Sequence, residues 1–148
     1  MSVSIRRAAR EDVSDITGLM YEYIVGFYQN PWPGQETIQA LAERLLKEEA
    51  GVQFVAEQEG RLIGFATLYF SMSTMKAKPI TVMNDLFVRE PYREAEAESL
   101  LFAACRDYTI EQGYASMTWI TAPGNVRAQQ RFDEWGGRRG NWVSYSIP

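Results

Sequence analysis

The most constraining feature of this chain is a pair of apolar segments joined by a tight turn. Residues 52–57 and 62–71 have the composition of strands, and the Gln-Glu-Gly sequence at 58–60 between them is typical of a hairpin turn. A third segment, residues 80–88, is apolar at most positions. Such a strand is expected to lie centrally in a sheet, where both of its faces are covered. The sequence therefore predicts a sheet as the organising element.

The segments around this hairpin predict further strands and helices. Apolar residues recur at helical spacing in four segments: 9–21, 36–49, 94–112 and 125–135. Three additional segments have the pattern of strands: 3–7, 115–121 and 142–147. The order β-α-α-β-β-β-α-β-α-β predicts an α/β fold with a mixed, mostly antiparallel central sheet flanked by helices on both faces. The length of 148 residues predicts one domain spanning residues 1–148.

Composition excludes several kinds of chemistry. The chain has no histidine and one cysteine, Cys105. Histidine bases, Ser-His-Asp triads, His-ligated metals and internal disulfides are therefore excluded, and no metal site is predicted. The net charge of −4 argues against nucleic acid as a partner. Without an apolar run long enough to span a membrane, the chain is expected to be soluble and cytoplasmic.

Four segments, in this order, resemble the GNAT family of N-acetyltransferases: IRRAAREDVSDITGLM, GVQFVAEQEGRLIGFATLYF, NDLFVREPYREAEAESLLFAACRDYTIEQGY and NVRAQQRFDEWGG. They resemble, respectively, the family's first strand and helix, its second and third strands, its central strand with the pyrophosphate loop and third helix, and its late Asn-x-x-Ala motif. The likeness covers nearly the whole chain. It implies acetyl-coenzyme A as cofactor and an amine of a small molecule or peptide as acceptor. Many relatives dimerise, so a homodimer is left open.

The loop that binds pyrophosphate in this family departs from the usual pattern. Family members carry Arg or Gln, two residues, Gly, one residue, and Gly or Ala, because glycines let backbone N–H groups approach the phosphates. Here Arg93 is present, but glutamates stand at both glycine positions, and a third follows Arg93 directly. The resemblance assigns this part of the cofactor site to Arg93, Glu94, Glu96, Glu98 and Ser99.

These glutamates are expected to oppose cofactor binding. One like-charge pair at ~6 Å costs roughly 3 kcal/mol at an effective dielectric of ~20, and less when solvated. Residues 94–112 hold five acidic residues and one basic residue, so the chain's whole excess of negative charge lies on this helix. The alternative is that first-turn glutamates stabilise the helix through its dipole and face solvent while the backbone amides still bind phosphate.

The central strand supplies the candidate catalytic groups. The resemblance implies that backbone amides of Leu86, Phe87 and Val88 polarise the thioester carbonyl and bind the cofactor. Asp85, a carboxylate within an apolar strand, is the candidate general base, because burial would raise its pKa. A hydrogen-bonding role for Asp85 with a loop or a partner is equally open. Asn84 alternates to the opposite face, so only one of the two is expected to point at the cleft.

The residue type that serves as general acid in the family is absent from the matching position of this chain. The family's Tyr, seven residues after the late Asn, is replaced by Phe132, which cannot donate a proton. Tyr145 is the candidate substitute, with Tyr69 and Tyr92 as others, and ordinary packing is the alternative for each. Asn125 matches the family's cofactor-side Asn, and Phe132 is assigned to the same side. A simple N-cap is the alternative for Asn125.

The acceptor pocket is expected between the first two helices, in a stretch rich in aromatic residues. Tyr23 and Trp32 from this stretch, together with Tyr69, are the candidate acceptor contacts, because aromatic rings favour cationic amines. The alternative is that the aromatic side chains form core or a dimer interface.

Two main functions follow, with a third left open. The first is an N-acetyltransferase that passes an acetyl group from acetyl-CoA to an amine. The second is a non-catalytic GNAT-fold protein whose CoA site is closed by Glu94, Glu96 and Glu98 and which acts as a binding or regulatory module. The third is a cleft that holds another ligand, such as a cationic metabolite bound by the glutamates.

Overall fold

A computed structural model describes residues 2–93 and 96–148 of the chain. Its five-stranded sheet has the order β1-β2-β3-β4-β5, in which the first four strands are antiparallel neighbours and β5 runs parallel to β4. The strands are β1 (Ser4–Arg7), β2 (Gly51–Gln58), β3 (Arg61–Ser73), β4 (Lys78–Val88) and β5 (Met117–Thr118). The α-helices are α1 (Val13–Tyr21), α2 (Gln35–Leu46), α3 (Ala97–Glu111) and α4 (Val126–Glu134).

The central hairpin forms as its sequence predicts. Strands β2 and β3 pair antiparallel across the turn at Glu59 and Gly60, both of which have a positive φ. Gly64 is required in β3 because a Cβ there would lie 2.6 Å from the carbonyl oxygen of Phe87 on β4. The glycine therefore allows the two central strands to approach each other closely.

Two hydrophobic clusters cover the two faces of the sheet. Helices α1 and α2 lie over one face, where Ile16, Ile38 and Phe65 are buried. Helix α3 lies over the other face and buries Leu101 and Cys105 against the sheet. Burial raises the pKa of the Cys105 thiol to about 12, which fits a packing role.

Helix α1 does not end in a turn but continues into a π-helical segment, Glu22–Phe27. The backbone N–H of Tyr28 donates to the carbonyl of Tyr23, five residues earlier. This wider turn rotates the following side chains relative to α1. It presents the aromatic rings of Tyr23 and Phe27 toward β4, as their contacts with Phe87 show, and the Tyr28 ring packs on that of Tyr23.

The predicted fold class, a mostly antiparallel α/β sheet flanked by helices, is confirmed. The prediction of a last strand at 142–147 is wrong, because no described residue pairs with this segment and its side chains are exposed. The strand predicted at 115–121 shortens to Met117–Thr118, since its pairing with β4 covers two residues. Within residues 2–93 and 96–148, no helix is both long and apolar enough to cross a membrane.

Candidate active site

A cleft opens where β4 and the chain after β5 separate. The two strands pair only at Thr81 with Met117 and at Val82 with Thr118. Beyond this point, residues 83, 84 and 86–88 of β4 form one wall of the cleft and residues 119–121 form the opposite wall. Alternate residues of a strand direct their backbone N–H and C=O groups to opposite sides. The groups of β4 that point away from β3 are therefore directed into the cleft.

A β-bulge lies in β4 at the head of this cleft. Thr67 of β3 pairs with Asp85, but the next residue of β3, Leu68, pairs with Met83, so Asn84 is the extra residue. A bulge bends the strand and increases its local twist, which accounts for the separation from β5. Asn84 is exposed and lines the cleft. The sequence-based expectation that only one of Asn84 and Asp85 faces the cleft agrees with this placement.

Asp85 lies behind the cleft wall and is surrounded by polar groups. The side-chain amide of Asn84 donates to its carboxylate over 3.1 Å. Burial raises the pKa of Asp85, and hydrogen bonding from Tyr23, Thr67 and Asn84 offsets part of that increase. Asp85 is therefore a carboxylate whose affinity for a proton is increased.

Tyr23 connects this carboxylate to the open cleft. Its ring lines the cleft and makes an edge contact with Phe65 and a tilted contact with Phe87. Burial and the nearby charge of Asp85 raise the pKa of the Tyr23 hydroxyl, so this hydroxyl keeps its proton. A protonated hydroxyl can donate to Asp85 while its ring contacts a molecule in the cleft.

The N-terminus of α3 lies at the other end of the cleft. Glu96 is the exposed N-cap residue, and its backbone carbonyl accepts hydrogen bonds from the Leu100 N–H and the Ser99 hydroxyl. Glu94, which was assigned to the same site, lies outside the described residues. The exposed position of Glu96 lets its side chain be solvated.

Glu98 is arranged differently from Glu96 because it forms an ion pair with Arg127 of α4. The guanidinium donates to both carboxylate oxygens, at 2.7 and 3.3 Å, and also to the backbone carbonyl of Arg93. The Glu98 side chain is only 13% exposed. Both partners line the cleft. The negative charge of Glu98 is thus largely balanced by the neighbouring guanidinium of Arg127.

Arg93 is held by the strand and by aromatic rings. Its Nε donates to the carbonyl of Val88 at 2.8 Å, and its guanidinium lies 5.1 Å from the Phe27 ring centroid and 5.6 Å from that of Phe87. These contacts fix the guanidinium beside the cleft, which Leu86, Phe87 and Val88 also line. Leu86, Phe87, Val88 and Arg93 therefore lie along the same cleft.

The cleft wall formed by α4 contains Asn125 and Phe132. The Asn125 side chain accepts a hydrogen bond from the Ala128 N–H at 3.1 Å and caps the helix, so the capping alternative holds. Phe132 contacts the rings of Phe102, Trp119 and Trp135. Both residues line the cleft as well.

Three other predicted site residues lie away from the cleft. Tyr145 is 92% exposed in the C-terminal segment, and Trp32 packs edge-to-face on Tyr21 at 5.0 Å. Tyr69 lies on β3. Burial, and to a smaller extent the charge of Asp85, raises the pKa of its hydroxyl. The structure thus separates Tyr145 and Trp32 from the residues that line the cleft, and leaves Tyr69 near Asp85.

Sequence reasoning missed two groups at this site. Arg127 is separated from Glu98 by 29 positions, and no local pattern connects them. Gln53 donates a buried hydrogen bond of 3.1 Å to Thr67 on the neighbouring strand, and among the residues that the structure describes the Gln53 Oε1 has no hydrogen-bond partner. Polar residues within the apolar strands β2 and β3 are the signal that could have identified this pair.

Comparison with known proteins defines the class of this fold and site. The model of the acetyltransferase (GNAT) family matches residues 18–136, and the chain therefore belongs to that family. Among similar proteins, the Bacillus subtilis (strain 168) protein described as uncharacterized N-acetyltransferase YhfO is 32% identical over 134 residues. That alignment covers 90% of this chain and 89% of the relative.

Solved structures share the fold over nearly their full length. The crystal structure of a probable acetyltransferase matches with a TM-score of 0.84 at 24% identity. The match covers 98% of this chain and 97% of the chain in that structure. The structure of AAC(6')-Iy in complex with the bisubstrate analogue CoA-S-monomethyl-acetylneamine has a TM-score of 0.82 at 21% identity, with coverage of 100% and 99%. At these identities the two structures establish similarity of fold.

Proposed function

We propose that this protein is an N-acetyltransferase that uses acetyl-CoA and acetylates an amine of a small molecule or peptide. The observation that carries the proposal is the cleft between β4 and the chain after β5, with the bulge and Asp85 at one end and the N-terminus of α3 at the other. Acetyl-CoA would supply an acetyl thioester, whose C–S bond is replaced by an amide C–N bond as one proton passes from the amine to sulfur.

The cleft offers groups suited to each part of this cofactor. Alternate backbone groups along Leu86, Phe87 and Val88 face the gap and can pair with an extended amide chain and polarise an acyl oxygen. The free N–H groups of the first turn of α3 attract phosphate, as does the guanidinium of Arg127. Arg93, Ser99, Asn125 and Phe132 complete the proposed cofactor side. The complex of a fold relative with a CoA analogue supports this assignment.

Asp85 is the proposed base. Its increased proton affinity suits a group that must take a proton from an ammonium or amine near neutral pH. Tyr23 and Asn84 stand between it and the cleft, so the transfer passes along one of them or a water molecule. Tyr23 also places an aromatic ring on the acceptor side, where a cationic amine is favoured. No general acid is assigned, since Tyr145 is 92% exposed and is not among the residues that line the cleft.

One observation favours the second candidate, a non-catalytic protein with a closed cofactor site. The Glu98–Arg127 ion pair bridges α3 and α4 across the place proposed for the phosphates. For cofactor to bind, its phosphates must replace Glu98 as the partner of Arg127 or bind beside the pair. If that exchange is too costly, the ion pair keeps the site closed.

Calorimetric titration with acetyl-CoA distinguishes the two candidates. We expect the wild-type protein to bind, and Glu98→Gln to bind about 10-fold more tightly because one carboxylate that competes with phosphate for Arg127 is removed, a change of about 1.4 kcal/mol. Glu111→Gln, at the other end of α3, is the matched control and should leave the affinity unchanged. Absence of binding by the wild type at millimolar acetyl-CoA would contradict the acetyltransferase proposal, and binding by Glu98→Gln alone would favour the candidate in which the ion pair closes the site.

The role of Asp85 is tested by coenzyme A release with two primary-amine probes, an aminoglycoside and a peptide with a free α-amine. We expect Asp85→Asn to lower turnover by about 10²–10⁴-fold while acetyl-CoA affinity stays constant. The wild-type rate should increase with pH as Asp85 loses its proton, and this dependence should vanish in the variant. Asp107→Asn, an exposed carboxylate on α3, is the control. An unchanged pH profile in Asp85→Asn would remove Asp85 from the mechanism.

A further inference from the structure

A row of polar side chains crosses the face of the sheet that α1 and α2 cover. Gln53 of β2 pairs with Thr67 of β3, and Thr67 in turn pairs with Asp85 of β4. Direct partners on neighbouring strands point their side chains to the same face, with Cβ atoms about 4.5–5.5 Å apart. Phe65 and Phe87, two positions along β3 and β4, are buried on this same face. The row therefore lies side by side within an otherwise apolar layer.

The amide of Gln53 is buried but only half satisfied. Gln53 is 3% exposed and Thr67 is 1% exposed. The Gln53 Nε2 donates to the Thr67 Oγ1 at 3.1 Å, while within residues 2–93 and 96–148 the Gln53 Oε1 accepts from no donor. A buried carbonyl oxygen without a partner costs stability, and an apolar side chain in its place would avoid that cost. The contribution of Gln53 is therefore to be found in the hydroxyl that it contacts.

The direction of this hydrogen bond decides what the Thr67 hydroxyl can do. A threonine hydroxyl has one hydrogen to donate and lone pairs with which to accept. Because the Gln53 N–H occupies a lone pair of Oγ1, the hydroxyl hydrogen stays available for Asp85, the next residue in the row. Hydrogen bonding from Thr67 is among the influences that lower the pKa of Asp85 against the effect of burial. Donation thus runs one way, from Gln53 through Thr67 to Asp85, and each bond polarises the next.

We propose that Gln53 and Thr67 are positioning residues: the Gln53 amide directs the Thr67 hydroxyl hydrogen at Asp85 and so stabilises the ionised carboxylate. This role rests on the proposed function, in which Asp85 is the base. A base must be ionised before it can accept a proton from an amine. Burial opposes the ionisation of Asp85, and a donor held in place offsets part of that effect. The pair thereby sets the fraction of Asp85 that is ready to act near neutral pH.

Other titratable and charged groups lie around Asp85, and they are left in place by the experiments below. Tyr23 faces it from the π-helical segment, where Tyr28 contacts the Tyr23 ring. Tyr69 of β3 experiences the charge of Asp85, and Arg44 of α2 acts on Tyr69. Burial raises the pKa of the Tyr23 and Tyr69 hydroxyls above the ordinary value, so both keep their protons where a carboxyl group titrates.

Carbon-13 NMR of the Asp85 side-chain carboxyl, identified by the loss of its signal in Asp85→Asn, tests the role without substrate. Thr67→Val replaces the hydroxyl with a methyl group of similar shape and should move the titration midpoint of Asp85 upward by about one pH unit, because the carboxylate loses a donor. Thr67→Ser keeps a hydroxyl and should restore the wild-type midpoint. Thr81→Val is the matched control: it removes a buried hydroxyl that bonds to Thr109 at 2.7 Å, and should leave the midpoint unchanged.

Gln53→Leu tests the first member of the row and does not depend on the folding of Thr67→Val. It should move the Asp85 midpoint in the same direction by a smaller amount, because the hydroxyl remains but is no longer oriented. It should leave the melting temperature unchanged or raise it, since the unpaired Oε1 is removed. In the Thr67→Val background it should move the midpoint no further. A residue with a structural role only would lower the melting temperature and leave the titration unchanged.

The pH dependence of coenzyme A release connects the row to catalysis. In Thr67→Val and Gln53→Leu it should shift together with the carboxyl titration, while acetyl-CoA affinity and the rate well above the midpoint stay at wild-type values. An unchanged Asp85 midpoint in both folded variants, or an equal effect of Gln53→Leu with and without the Thr67 hydroxyl, would overturn the positioning role. A midpoint that moves while the rate profile stays fixed would support the row and reject Asp85 as the base, so the two failures are distinguishable.

Discussion

The parts of the chain before and after residue 110 differ in how they are stabilised. The first part contains strands β1–β4 and helices α1–α3, and every buried residue of the described chain lies there. The second part contains β5 and α4, and among residues 110–148, all of which the structure describes, none is buried. Burial of an apolar side chain contributes about 1.5–3 kcal/mol, so the first part supplies most of the folding free energy.

The difference explains where the cleft is. Its rigid wall, β4, belongs to the well-packed part, and its opposite wall and α4 belong to the part that buries little. Regions with few buried contacts open at low free-energy cost. The second part is therefore suited to adjust to a ligand, while the first part holds the proposed catalytic groups in place.

Matched truncations of one aromatic residue from each part should give the largest difference. Phe65→Ala removes a fully buried ring from the core and should lower the free energy of unfolding by about 3–5 kcal/mol. Phe132→Ala, at a partly buried ring beside the cleft, should cost about 1–2 kcal/mol because its site already touches solvent. Urea denaturation measures both values. Equal losses would show that the two parts are equally well packed.

Ion pairs should show the same contrast. Arg6 donates to both carboxylate oxygens of the buried Asp12, at 2.7 and 3.0 Å, and the Ala9 N–H donates to it as well. Asp12→Asn should cost about 1.5–3 kcal/mol, because a charged hydrogen-bonding group is lost from a buried site. Asp133→Asn, which breaks an exposed pair with Arg139, should have no measurable effect in the same urea denaturation.

The dependence of stability on pH checks this assignment. The hydrogen bonds from Arg6, together with that from Ala9, hold the pKa of Asp12 below its usual value. Because the folded pKa is lowered, the stabilisation is complete above the unfolded pKa of about 3.9 and is lost as pH falls through the folded value. The wild type should lose stability in this acidic range more steeply than Asp12→Asn. Parallel pH curves would contradict the prediction.

The two parts also differ in how closely the backbone is packed, and we expect this difference to have a smaller effect on stability. A Cβ at Gly64 would meet the Phe87 carbonyl oxygen at 2.6 Å, whereas a Cβ at Gly124 would meet nothing within 4 Å. Gly64→Ala should therefore destabilise the protein by about 1–3 kcal/mol, because the packed strands must separate. Gly124→Ala should be neutral or slightly stabilising in thermal unfolding. A neutral Gly64→Ala would mean that β3 and β4 can move apart without cost.

The sequence predicted the first part of the chain better than the second. The hairpin and α1 follow from apolar spacing and turn residues, and the predicted apolar face of α1 is buried at Val13, Ile16, Leu19 and Met20. The strand predicted at 142–147 has the right pattern but no partner in the structure. A pattern states that a segment can pair, while pairing also requires an open neighbouring edge at the right place.

For the candidate site, the sequence indicated individual residues but not the contacts between them. The sequence identified Asp85, Arg93 and Glu98, and the structure brings them to or beside one cleft. It did not reveal that Arg127 balances Glu98 or that a bulge sets Asn84 in front of Asp85. Both depend on contacts between residues far apart in the chain, which only the folded arrangement determines.

Loss of the Asn125 cap gives the most local test of the comparison. Asn125 accepts from the Ala128 N–H at the start of α4, and Asn125→Ala should cost about 1 kcal/mol. If residues 110–148 open independently of the core, amides of α4 should exchange about fivefold faster, while those of β2 and β3 stay unchanged. Native-state hydrogen exchange measures both sets in one experiment. Equal acceleration in α4 and β3 would show that the two parts unfold together, and the boundary drawn at residue 110 would then have no energetic meaning.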